Sequence, residues 1–153
     1  MELSGSYTFA APAGAVWALL IDPDVIASCL PGCERLEPLG DDRFRADLTM
    51  AVASISGRYT GTVAMLDKKP PTSYRLSVDG QGKPGFVKGE ATIALTEDGQ
   101  STTVTVTGVG QVGGLIARVG QRLLGAVSKM MMDRFFACLQ GKLPASSTPG
   151  QPD

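Results

Sequence analysis

Residues 57–96 read GRYTGTVAMLDKKPPTSYRLSVDGQGKPGFVKGEATIALT. Apolar and polar residues alternate along this stretch, and the alternation breaks at Pro70-Pro71 and at Pro84-Gly85. A period of two sends successive side chains to opposite faces of a pleated strand, and proline-glycine chemistry turns the chain. The stretch is thus three strands joined by two turns, near 57–67, 73–82 and 86–96. The signature continues outward on both sides. Runs near 33–39 and 43–53 precede it, separated by Gly40-Asp41-Asp42, and a run near 101–112 follows Asp98-Gly99. Six sequential strands with short separators predict an antiparallel meander.

The flanks supply the helices. Leu3 to Ala10 reads as a further strand, and Pro12 fits the first turn of a helix with Val16, Trp17, Leu19 and Leu20 at helical spacing. That helix stops near Ile21. Asp22-Pro23 then caps and restarts a short helix to about Ser28, ended by Pro31-Gly32. From Gly113-Gly114 to Leu143 there is no proline, and Ile116, Val119, Leu123, Val127 and Met130 recur at helical spacing, which predicts one long terminal helix. Residues 144–153 hold three prolines and no large apolar residue, the composition of a disordered tail. The expected architecture is α+β: one domain over residues 1–143, with a curved antiparallel sheet of about seven strands wrapped around the terminal helix.

Alternation also assigns faces. Inward positions are Ala46, Leu48, Met50 and Val52; Tyr59, Gly61, Val63 and Met65; Tyr74, Leu76, Val78, Gly80 and Gly82; Val87, Gly89, Ala91, Ile93 and Leu95; and Val104, Val106, Gly108 and Gly110. Glycine or alanine recurs on every one of these strands, and Ala117, Gly120, Gly125 and Ala126 recur on the helix. Such glycines either permit bends and bulges in the sheet or leave room for a ligand. On the second reading the space between helix and sheet is a cavity of a few hundred Å³. Arg45, Asp47, Arg58, Arg75, Asp79, Lys88 and Glu90 fall on the outward face, and the 153-residue chain contains no histidine. The interior therefore lacks an evident acid or base, which favours binding over catalysis; Tyr59 and Tyr74 are the hydroxyls available to a ligand.

Other motifs carry less. Gly80-Gln81-Gly82-Lys83-Pro84-Gly85 matches a dinucleotide fingerprint in its letters, but a strand follows where the fingerprint needs a helix. Three cysteines, Cys29, Cys33 and Cys138, read as reduced structural thiols and are too few for a closed metal site; no cofactor is expected. A net charge of −1 argues against nucleic-acid binding. With no secretory signal and no run long enough to span a bilayer, the expected compartment is the cytoplasm. The helix end is apolar almost all round at Met130, Met131, Met132, Phe135 and Phe136, and Arg118, Arg122, Lys129, Arg134 and Lys142 face Asp133 alone in charge. Either the first strand or a second copy covers that end, or it meets a lipid surface or a partner protein, with Phe136 as an exposed contact.

Taken together, Pro12 with Val16-Trp17 and Leu20, Asp22-Pro23, Cys29 to Glu34, Gly57 to Gly61, Gly82 to Gly89, Val112 to Gly114 and Phe135-Phe136 resemble the carbon monoxide dehydrogenase G-subunit family of the START-like helix-grip superfamily (SRPBCC). The resemblance runs from about residue 1 to 141. It implies a helix-grip fold with a cavity for lipophilic molecules, a quinone among them. It further implies service to a molybdenum-containing carbon monoxide dehydrogenase, through recruitment to the inner face of the cell membrane or electron transfer to quinone. Longer members carry extended tails linked to membrane attachment, whereas this tail is short, polar and rich in proline. By position the pocket falls at Tyr59, Gly61 and the long helix. With the inward strand residues, the candidate ligand-binding set is Met50, Tyr59, Gly61, Met65, Tyr74, Leu76, Gly89, Ile116, Gly120, Leu123, Leu124, Val127 and Met131. The expected protein is a non-catalytic binding protein for a hydrophobic small molecule; the alternatives are a START-like cyclase or hydrolase acting on a lipophilic substrate, and an assembly factor with a collapsed cavity.

Overall fold

The computed structural model describes residues 1–52 and 55–143. Strand β1 (Glu2–Phe9) leads into helices α1 (Ala13–Leu20) and α2 (Pro23–Cys29). The meander follows as β2 (Cys33–Gly40), β3 (Arg43–Met50), β4 (Gly57–Lys69), β5 (Ser73–Gly82), β6 (Gly85–Asp98) and β7 (Ser101–Gly114). A short 3-10 helix (Leu115–Val119) then precedes α3 (Gln121–Gly141). The seven strands form one antiparallel sheet in the order β1-β7-β6-β5-β4-β3-β2. The tail expected from residue 144 lies outside the described residues.

Local chemistry explains the element ends. Asp22 caps α2 by accepting a hydrogen bond from the Asp24 amide at 2.9 Å. Pro12 cannot cap α1 with a side chain; Glu97 of β6 instead accepts from the Ala13 amide at 2.6 Å, placing a carboxylate at the positive end of the helix. Asp41 and Asp42 both adopt positive φ, the geometry that a tight hairpin between β2 and β3 requires. The Gly80 to Gly85 hexapeptide is the end of β5, a turn and the start of β6, so no helix opens there to receive phosphates.

Three expectations need correction. The terminal helix does not begin at Gly113: β7 runs on to Gly114, and Gly114 and Gly120 take φ of +74° and +89°, values that an α-helix cannot contain. The apolar spacing of Ile116 and Val119 belongs to the 3-10 turn between them, and Gly120 flanks α3 rather than lying within it. Phe136 is not an exposed contact either. It is 4% exposed, stacks on Tyr7 of β1 at 4.2 Å and meets the edge of Phe9 at 6.3 Å. The first strand thus covers the apolar helix end, and Phe136→Glu would place a charge in the core.

The third correction concerns the thiols. Cys29 and Cys138 form a disulfide with Cα atoms 5.4 Å apart, joining the end of α2 to α3, and Cys33 remains a free thiol. This bond closes a chain separation of 109 residues, so it restricts the unfolded chain strongly. Replacing Cys29 and Cys138 together by Ser and Ala is expected to lower unfolding free energy by about 2–4 kcal/mol. Urea titration without reductant checks this, and a midpoint equal to the parent's would contradict it.

Candidate ligand cavity

Register places the inner face in rows. Phe44 pairs with Val63, Val63 with Val78 and Val78 with Gly89; Met65 pairs with Leu76, Leu76 with Ala91 and Ala91 with Gly108; Tyr74 pairs with Ile93 and Ile93 with Val106. These pairs place the inward residues read from alternation on one shared face of the sheet, except Val52, which lies beyond the end of β3. Helix α3 crosses this face, but its backbone approaches β1, α2 and the 3-10 turn most closely and stands off from the middle strands.

The stand-off leaves a cavity of about 340 Å³. Its floor is the inner face of β3 to β7, including Ala46, Leu48, Val63, Leu76, Ala91 and Val106. Its roof is Met131, Met132, Phe135 and Phe136 of α3, and its side wall is Leu20, Ile26, Leu30 and Leu36. Val78 shows that the space is open: it sits on the inner face in register, yet it is 36% exposed. The disulfide lies on the seam between the side wall and the roof, which it bonds together.

Of the described residues lining the cavity, Tyr74 alone has a side chain with oxygen or nitrogen. It is 3% exposed and packs against the edge of Trp17 at 5.4 Å between ring centroids. Burial pushes its pKa well above the usual phenol value, so the hydroxyl stays protonated. The ionic residues lie on the opposite face: Arg75 pairs with Asp67 at 2.9 Å and with Glu90 at 3.0 Å, and Arg58 reaches Glu34 at 3.5 Å. Among the described residues no group of three or more His, Cys, Asp or Glu could hold a metal ion. Such a chamber can solvate a lipophile, and it offers that lipophile one hydrogen-bonding group.

Ten of the thirteen candidate residues divide between two places, and the other three are the glycines Gly61, Gly89 and Gly120. Met65, Tyr74, Leu76 and Met131 line the cavity. Met50, Tyr59, Ile116, Leu123, Leu124 and Val127 instead build a second apolar cluster with Ile55, which Met131 also touches. There the Tyr59 hydroxyl donates to the Ile55 carbonyl at 2.7 Å. Gly61 and Gly89 lie on the inner face, but an added Cβ would come within 2.7 Å of the Asp79 carbonyl oxygen and 3.0 Å of the Val109 carbonyl oxygen respectively. These two glycines therefore admit a neighbouring backbone, not a ligand. The walls that sequence reasoning passed over are Ile26, Leu30 and Leu36 and the Phe135-Phe136 pair. A signal existed in the four-residue spacing of Ile26 and Leu30, which gives the short second helix an apolar side needing cover.

The sequence matches the carbon monoxide dehydrogenase G-subunit family (CoxG) over residues 5–144. The chain belongs to this family. Among solved structures, this CoxG-family chain is similar to a conserved protein from Geobacillus kaustophilus, at 38% identity and a TM-score of 0.90, covering 93% of this chain and 94% of that one. A START superfamily protein from Mycobacterium smegmatis gives 15% identity and a TM-score of 0.72, covering 92% and 95%. The Zhui aromatase/cyclase from Streptomyces gives 20% identity and a TM-score of 0.67, covering 93% and 92%. The last two likenesses establish the START-like fold. No curated protein matches the chain by sequence. No helix among the described residues is long and apolar enough to cross a membrane.

The three tyrosines give the CoxG-family domain an alkaline limit. Tyr7 is pushed up to about 12 by burial first, then by its hydrogen bond to Asp133 at 2.8 Å and by that carboxylate's charge. Burial raises Tyr59 and Tyr74 as well. Each phenol holds its proton more tightly when folded, so its contribution is complete below the ordinary value of 10 and is lost as pH climbs from there through the folded value. The urea midpoint is expected to fall between about pH 10 and pH 12, and to fall less in Tyr7→Phe. An unchanged midpoint across that window would contradict the assignment.

Proposed function

We propose that the protein is a non-catalytic carrier whose cavity takes a hydrophobic small molecule, a quinone in its working setting. On this reading it serves a molybdenum-containing carbon monoxide dehydrogenase as an accessory, aiding membrane recruitment or electron transfer to quinone. The observation that carries the ligand part is the apolar cavity of about 340 Å³ between α3 and the sheet. Water is a poor occupant of such a space, because a held water needs two to four polar partners and Tyr74 supplies one. Membership of the CoxG family supports the accessory part.

The rival reading is a START-like enzyme, suggested by the fold shared with an aromatase/cyclase. Cyclisation or hydrolysis needs a proton acceptor beside the reacting atoms, and a buried phenol with a raised pKa is a poor one. The lining chemistry therefore supports carriage over catalysis.

Ala91→Phe tests the cavity. Ala91 lies on its floor between Leu76 and Gly108, so a phenyl ring there points into the open volume. Binding of a fluorescent lipophilic probe is expected to drop at least about tenfold, with thermal stability held or raised because a void has been filled. Retained binding would place the ligand elsewhere. For the partner, adding the protein to the purified dehydrogenase is expected to raise carbon-monoxide-dependent quinone reduction, and an unchanged rate would count against the accessory role.

A further inference from the structure

Among the described residues the three tyrosines are not equivalent. The Tyr7 hydroxyl donates to Asp133 and the Tyr59 hydroxyl to the Ile55 carbonyl, whereas the Tyr74 hydroxyl has no hydrogen-bond partner among the described residues. Among those residues no buried side-chain nitrogen or oxygen is both sealed from space and unpartnered. The Tyr74 oxygen is therefore not fully sealed, and the open volume that Tyr74 lines is the cavity. A buried donor facing an apolar space is costly until something accepts from it.

The same walls define what cannot accept. No lysine or arginine lines the cavity, and Arg75, next in sequence to Tyr74, is turned to the outer face by Asp67 and Glu90. A fatty-acid carboxylate drawn into this space would lose its hydration with no countercharge. A neutral oxygen acceptor loses far less and gains the one donor present.

We infer that Tyr74 sets the selectivity of the cavity, donating a hydrogen bond to the carbonyl or ether oxygen of a neutral, otherwise apolar ligand and leaving lipid anions excluded. The inference rests on the cavity being the ligand site. It adds to that reading the residue that meets the ligand's oxygen and the exclusion of lipid anions.

Fluorene, fluorenone and fluorene carboxylate share one tricyclic outline and differ in the group offered to Tyr74. Their affinities for the full chain can be measured by fluorescence or calorimetry in the parent, in Tyr74→Phe and in Tyr59→Phe. The ratio of fluorenone to fluorene affinity is expected to fall about five- to tenfold in Tyr74→Phe, the worth of one neutral hydrogen bond, and to stay unchanged in Tyr59→Phe. Fluorene should bind Tyr74→Phe as well as it binds the parent, which reports an intact cavity. The carboxylate should bind at least about tenfold more weakly than fluorenone. A ratio unchanged by Tyr74→Phe, or a carboxylate bound as tightly as the ketone, would overturn the selectivity while leaving the cavity as a ligand site. If the parent binds neither fluorene nor fluorenone, the ligand-site reading falls and the selectivity with it.

Discussion

Helix α3 is held at its edges and not across its middle, and the interior follows from that. At the β1 edge Phe136 stacks on Tyr7, Tyr7 donates to Asp133, and Gln140 donates to the Thr8 carbonyl at 2.6 Å. At the α2 edge Cys138 is bonded to Cys29. Between these attachments the helix must span the concave face with long side chains alone. Met131, Met132 and Phe135 reach down from it, and the short Ala46 and Ala91 do not reach up to meet them. The hollow is the geometric remainder of a straight rod lying in a curved sheet whose floor is partly short-chained.

The two apolar clusters divide the labour that this arrangement requires. One end of the molecule is solid: Phe9, Val16, Trp17, Leu20, Val104 and Leu139 are nearly fully buried and carry the burial that stabilises the fold. The other end closes more lightly, with Ile116, Leu124 and Val127 against Ile55. The cavity lies beside the solid cluster and shares Phe136, Tyr74 and Ile93 with it. A rigid wall on one side and flexible methionines on the other suit a chamber that must fit a ligand without reorganising the core.

Strand order and facing were legible from a period of two and a few turn dipeptides, because both depend on local chemistry that the sequence displays directly. The presence of a cavity was also legible, yet for an incomplete reason. The inward glycines suggested empty space, but at Gly61 and Gly89 the missing Cβ makes way for neighbouring backbone, and the hollow comes from the helix stand-off. Helical spacing read Leu123 and Val127 as one face of the terminal helix, but spacing carries no information on how far along the sheet they lie, and Ile116 belongs to the 3-10 turn before that helix. All three pack at the far cluster, away from the cavity. The pairing of Cys29 with Cys138 depends on two helices meeting across the fold, which an odd cysteine count could not reveal.

Family membership and an apolar chamber with a single phenol are the two observations behind the proposed binding of a neutral lipophile. Native mass spectrometry of gently purified protein tests this most directly, since a ligand held by burial survives into the gas phase and is released intact on activation. The expected spectrum contains a population carrying one neutral lipophilic molecule per chain, identifiable from the mass released. Protein that is empty after gentle purification, and remains empty when incubated with a neutral lipid extract, would contradict it.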